Sequence, residues 1–242
     1  LRLNRPEKLN ALDAAMVDEL FDRCREIERS AARVVILSGE GKAFCSGGDI
    51  EAWSGSAPDE FGRRWVRDGH AAFDALARLR QPVIAVLDGH ALGGGLELAA
   101  CADLRIAEVQ VKIGQPETGL GIIPGWSGSQ RAVRRFGAQA VRRMAVMGEV
   151  FSAEDALARG IVDHVVATGG AAAAADAATE AILGRSPRAT ELAKMMVNAA
   201  EGEESERVIE AFAGALAAGS EDLAEGLAAF RAKRRPDYGE EP

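Results

Sequence analysis

Residues 82–107 read PVIAVLDGHALGGGLELAACADLRIA. Pro82 resets the chain, and the short apolar run VIAVLD (83–88) has the length and composition of a buried strand. LELAACA (96–102) reads as a short helix and LRIA (104–107) as the next strand. Between the first strand and the helix stand three consecutive glycines, Gly93, Gly94 and Gly95, with Glu97 two residues further on. Strand, tight turn, helix, strand is the unit of an α/β fold with parallel strands. A helix that starts at a strand end presents unpaired backbone N–H groups. Its dipole favours negative charge at that end. Glycine lets a ligand reach those amides without a Cβ in the way.

The same grammar extends in both directions. LRLN (1–4) ends a strand, and Leu12, Met16, Leu20 and Ile27 recur at helical spacing. RVVILSG (33–39) is a second buried strand, followed by the glycine-rich loop GEGKAFCSGGDI (39–50). Asp59–Arg80 reads as a helix with Phe61, Trp65, Phe73, Leu76 and Leu79 inward. KIGQPETGLGIIPGWSGSQ (112–130) is expected to be a long loop, with five glycines and two prolines. Loops of that length in a compact domain are usually functional. SAEDALARG (152–160) carries an N-cap at Ser152 and a stop at Gly160. IVDHVV (161–166) is a last strand, and 171–233 is nearly all helix. The expected organisation is an α/β core over residues 1–170 and a helical C-terminal region over 171–242.

At 242 residues the chain is long enough to bury a sizeable core. A net charge of −8 argues against a nucleic-acid binder. The basic run Arg131–Arg143 reads as a solvated helix face. Three widely spaced cysteines, Cys24, Cys45 and Cys101, form no CxxC, so neither a zinc site nor a disulfide framework is expected. Reduced thiols fit a cytoplasmic protein. No apolar stretch reaches the length of a membrane span, so no membrane partner is expected. The chain opens without a methionine, so the true start is expected upstream, where a targeting segment would lie.

Four uses compete for the glycine triplet. A dinucleotide loop fails because position 98 of the GxGxxG frame is Leu98, and no Gly-Lys-Ser/Thr follows for a P-loop. A nucleophile elbow fails because GWSGS (125–129) lacks the final glycine and follows a loop rather than a strand. A purely structural turn is adequate for any single glycine. The fourth use is an oxyanion hole, with its second N–H supplied by CSGGD (45–49). Glu97 and Glu117 then supply two carboxylates able to divide acid and base work.

KAFCSGGDI (42–50), residues 82–107, GQPETGLGIIPGWSGSQR (114–131), SAEDALARGIVDHVV (152–166) and the opening LNRPEKLNAL (3–12) together resemble the crotonase superfamily, the enoyl-CoA hydratase/isomerase family. The resemblance implies a crotonase-like spiral of ββα turns with a helical C-terminal region used for trimerisation, in a homotrimer or a hexamer built as a dimer of trimers. It implies an acyl-CoA thioester substrate, with coenzyme A as part of that substrate, no tightly bound cofactor and no metal. The two oxyanion-hole amides fall on Gly48 and Gly94, and the glutamate pair of the hydratases on Glu97 and Glu117. Further substrate contacts are implied at Lys8 (with Arg5 nearby), Asp49, Ile50, Trp126 and Lys233.

Retention of both glutamates favours hydration of a trans-2-enoyl-CoA. A Δ3,Δ2-enoyl-CoA isomerase that uses Glu117 alone, and an acyl-CoA thioester hydrolase of the same fold, stay open as alternatives. The chain departs from the family pattern in three places. Gly48 stands where alanine or a bulkier residue is common. Trp126 replaces a small residue and either narrows the acyl pocket or packs. Asp88 and His90 fall in a segment that is usually Asn-Gly-x-Ala.

Overall fold

The computed structural model describes residues 1–239. It divides into two compact units, Leu1–Lys194 and a second beginning at Met195.

The first unit is built on two sheets. One has five parallel strands in the order β1 (Arg2–Leu3), β2 (Val35–Gly39), β4 (Val83–Leu87), β6 (Leu104–Glu108), β9 (His164–Val166). The other runs β3 (Ala43–Cys45), β5 (His90–Leu92), β7 (Lys112–Gly114), β8 (Val150–Ser152), parallel except for the antiparallel pair β7–β8. Successive strand pairs β2/β3, β4/β5 and β6/β7 each give one strand to each sheet, which makes a spiral of ββ turns. Every residue of β4 is buried, as expected of a central parallel strand with both faces covered. Its register runs Ile36↔Ile84 on one side and Ile84↔Leu104 on the other.

The strands of the second sheet are only three residues long, and β3, β7 and β8 were not legible as strands. The stretch 112–130, expected to be one long loop, begins with β7 and continues through a 3₁₀ turn at Glu117–Leu120.

Helices cover the sheets. α1 (Ala14–Arg29) is capped by Asp13, whose carboxylate accepts from Met16 N, and it buries Val17, Leu20 and Cys24. A helical run from Pro58 passes through a π-helical stretch at Phe61–Val66 into α2 (Arg67–Ala77). α3 (Gly94–Ala99) is buried at every residue. α4 (Gln130–Phe136) and α5 (Ala153–Ala158) follow, the latter capped by Ser152 as the sequence predicts.

α6 (Ala171–Leu183), expected to open the C-terminal region, instead belongs to the first unit. Its Ala171 and Ala175 pack with Ile84, Val86 and Ile106 of the five-stranded sheet. The boundary expected at residue 170 therefore lies later, inside α7 (Pro187–Ala200). Alanines on α6 permit that close helix–sheet approach. In the second unit, α8 (Ser205–Ala218) and α9 (Glu221–Ala232) are joined by a short turn and leave Ile209, Leu216 and Phe230 exposed.

Candidate active site

The glycine triplet divides its work. Gly93, at φ 54° and ψ −127°, turns the chain from β5 into α3, a conformation that favours glycine. Gly95 allows close packing, since a Cβ there would lie 2.1 Å from Cys45 O. Gly94 begins the helix. A Cβ on it would lie 3.3 Å from Gly48 N, so the loop after β3 and the start of α3 meet backbone to backbone. Leu12 bridges to the Gly48 loop through Gly47 O and Asp49 N, which leaves the Gly48 N–H turned away from that bridge. Among the described residues, neither Gly48 nor Gly94 donates its N–H to the rest of the chain.

Both amides line a cavity of about 110 Å³. Glu97 and Glu117 line the same cavity, and Trp53, Phe61, Trp65, Trp126 and Ile50 form apolar wall. Trp126 packs on Trp65 (ring centroids 4.9 Å apart) and Phe73 (5.1 Å), and donates its indole N–H to Trp65 O at 3.0 Å. Its ring fills the space that a side chain at Gly69 of α2 would take. The tryptophan therefore both packs and narrows the cavity. A Cβ at 48 would lie 3.1 Å from Trp65, a tight approach, and in ordinary contact with Trp53 and Trp126 at 3.6 Å.

The two carboxylates are held differently. Glu97 is buried in the first turn of α3, and its Oε1 accepts the backbone N–H of Trp126 and of Gly128, each at 2.7 Å. Glu117 sits on the 3₁₀ turn, and neither of its oxygens accepts a hydrogen bond. Its Oε1 lies against Gly93, where a Cβ would approach it to 3.2 Å. Burial, and then the charge of the facing Glu117, push Glu97 up to about 8, while burial pushes Glu117 up to about 7. Such values belong to the pair. The two amides on Glu97 favour its anion and offset part of that rise.

The remaining predicted contacts separate. Ile50 lines the cavity. Asp49 does not. It accepts from Arg5 Nη1 at 2.6 Å and from Glu51 N at 3.1 Å, and the Arg5 guanidinium holds its carboxyl below the usual range. Arg5 also donates to Ala11 O, so it ties the Gly48 loop rather than standing free for a phosphate. Lys8 pairs with Glu51 at 2.5 Å on the exposed surface. Lys233 lies in the second unit, exposed, at the left-handed end of α9.

Sequence reasoning missed the N–H donors of Trp126 and Gly128 and the contact of Ser127 Oγ with His70 Nδ1 at 3.1 Å. The GWSGS string was the only signal, and it was weighed as a nucleophile. Ser127 does not line the cavity.

The comparisons agree with this architecture. A family model described as enoyl-CoA hydratase/isomerase matches residues 1–241. A probable enoyl-CoA hydratase of Rhizobium meliloti is 37% identical over 98% of this chain and 93% of its own length. A crotonyl-CoA hydratase of Syntrophomonas wolfei is 34% identical, with the same coverage. The crystal structure of an enoyl-CoA hydratase from Bacillus anthracis superposes with a TM-score of 0.78 at 34% identity, covering 98% of this chain and 93% of that one. The chain belongs to the enoyl-CoA hydratase/isomerase family, and its fold is that of the crotonases. Among the described residues no helix is long and apolar enough to cross a membrane.

Proposed function

We propose that this protein hydrates a trans-2-enoyl-CoA thioester, with coenzyme A as part of the substrate. The observation that carries the reading is the convergence of two undonated amides, Gly48 and Gly94, with the carboxylates Glu97 and Glu117 in one cavity. The thioester carbonyl accepts both N–H groups. Glu97, with Oε1 occupied by two amides, offers Oε2 to a water and takes its proton as the oxygen bonds to Cβ. The electron pair of the double bond moves through Cα onto the carbonyl as an enolate, where the fixed donors meet the developing charge. The enolate collapses as Glu117 delivers its proton to Cα. Isomerisation, which needs one carboxylate, would leave Glu97 without a task.

The aromatic wall supports a short acyl group, because Trp126 packs beside both Gly48 and Gly94 and Trp65 beside Gly48. The exposed apolar residues of α8 and α9 support assembly as a homotrimer, or a hexamer of two trimers. Lys233 is proposed to contact coenzyme A.

The test is hydration of C4 to C16 and aromatic enoyl-CoAs by the wild type and by E97Q and E117Q, with isomerisation assayed in parallel. Loss of hydration in both variants supports the reading. Full hydration in both, or isomerisation alone in the wild type, overturns it.

A further inference from the structure

Ser127 is held at φ 73°, a left-handed conformation that favours glycine. It is buried, and its hydroxyl meets His70 Nδ1 at 3.1 Å. It also lies between the two residues whose amides bind Glu97. For the N–H groups of Trp126 and Gly128 to converge on a single oxygen, the Gly125–Trp126 and Ser127–Gly128 peptide units must both turn toward it, across Trp126 and the left-handed Ser127. The left-handed residue supplies part of that turn.

His70 belongs to α2, which fixes the same loop at further points. Gly69 opens the space that Trp126 fills, Phe73 packs on its ring, and Asp74 pairs with Arg131 Nη2 at 2.6 Å. On the far side, Gln115 Nε2 donates to Gly128 O at 2.9 Å. Within this frame Ser127 is held at two points: its carbonyl accepts from Ala132 N at 3.2 Å, and its side chain is held by His70.

We propose that His70 and Ser127 are positioning residues for Glu97, the histidine holding Ser127 in its left-handed turn so that two amides grip Oε1 and leave Oε2 to the water. The proposal rests on the hydratase reading for the task of Oε2, and not for the grip on Oε1. The groups that face the Glu97 carboxylate are Glu117 from the 3₁₀ turn, Arg131 from α4 with Asp74 behind it, and the thiol of Cys45, while the Cys101 thiol donates to the Glu97 backbone carbonyl. Cys45, pushed up to about 12 by burial, stays a thiol over the working range.

The discriminating variant is glycine, which takes φ 73° without help. H70A and S127A are expected to lower kcat for enoyl-CoA hydration by about 10- to 100-fold, the scale of a misplaced catalytic group. They should also raise the pH at which Glu97 ionises and so displace the kcat/KM profile, because Glu97 loses donors that favour its anion. H70A/S127G is expected to recover most of that loss and to restore the profile. Carboxyl ¹³C NMR of Glu97 in the free protein reads the same shift without substrate: up in S127A, back in S127G. Wild-type kcat and pH profile in both H70A and S127A, or an S127G as impaired as S127A, overturns the proposal. A wild type that hydrates no enoyl-CoA overturns the proposed reaction, and the NMR titration then decides the positioning role by itself.

Discussion

Glu97 and Glu117 face one cavity from opposite kinds of support. Glu97 stands in a buried helix turn, its carboxylate gripped by two amides of a distant loop. Glu117 stands on a single 3₁₀ turn, its oxygens ungripped. Burial raises both, and on Glu97 two amides of another segment oppose that rise. The proposed division into base and acid rests on that difference in backbone support.

The strongest way to break that contrast is to neutralise each carboxylate. E97Q and E117Q are each expected to lose roughly 10²–10⁴ in hydration rate, the range of a single general acid or base. If one of them retains the wild-type rate, the division of labour is wrong.

The grip on Glu97 depends on the seat of its loop, so G69A probes the contrast from behind. A Cβ there would lie 2.0 Å from the Trp126 indole nitrogen. Thermal or denaturant unfolding should show a loss of about 1–3 kcal/mol, typical of overpacking. G69A/W126A should return much of it if the two sites are coupled.

A titration sharpens the same contrast. The kcat/KM profile of the wild type is expected to be a bell peaking between pH about 7 and about 8, set by the pair. Stability follows from the same shifts. The folded state holds the protons more tightly than the unfolded chain, so stability is full below the ordinary carboxylate range. It falls as pH rises from about 4.5 through about 8. Denaturant midpoints measured across that window should decline less in E97Q than in the wild type.

W126L addresses the cavity rather than the carboxylates. Its kcat/KM for a C8 over a C4 enoyl-CoA should rise about tenfold, the worth of a little extra apolar room. The smallest effect belongs to K8A. With Lys8 paired to Glu51 on the exposed surface, unfolding temperature and kcat are expected to stay unchanged.

Much of this was legible in the sequence, for a physical reason. The central strand of the five-stranded sheet, 83–87, is apolar from end to end and announces itself. Ser152 and Gly160 mark the two ends of a helix by capping and turn chemistry. Gly93 and Gly95 were legible as turn and packing glycines because each answers a local demand. The second sheet was hidden because its strands are three residues long, too short for any period to show. Asp49 looked like a substrate contact by its place in a motif, but its partner Arg5 is 44 residues away in the chain. The donors on Glu97 were invisible for a different reason: backbone amides carry no residue signature, and which ones meet a carboxylate is settled only by the fold.

Trp126 shapes the cavity with its indole and grips Glu97 with its main chain. Every amino acid except proline brings the same N–H to that position. A substitution there keeps the donor in the chain but removes the indole that seats the loop on Trp65 and Phe73. Substrate preference and the hold on Glu97 are therefore linked through one residue, by its side chain and its main chain.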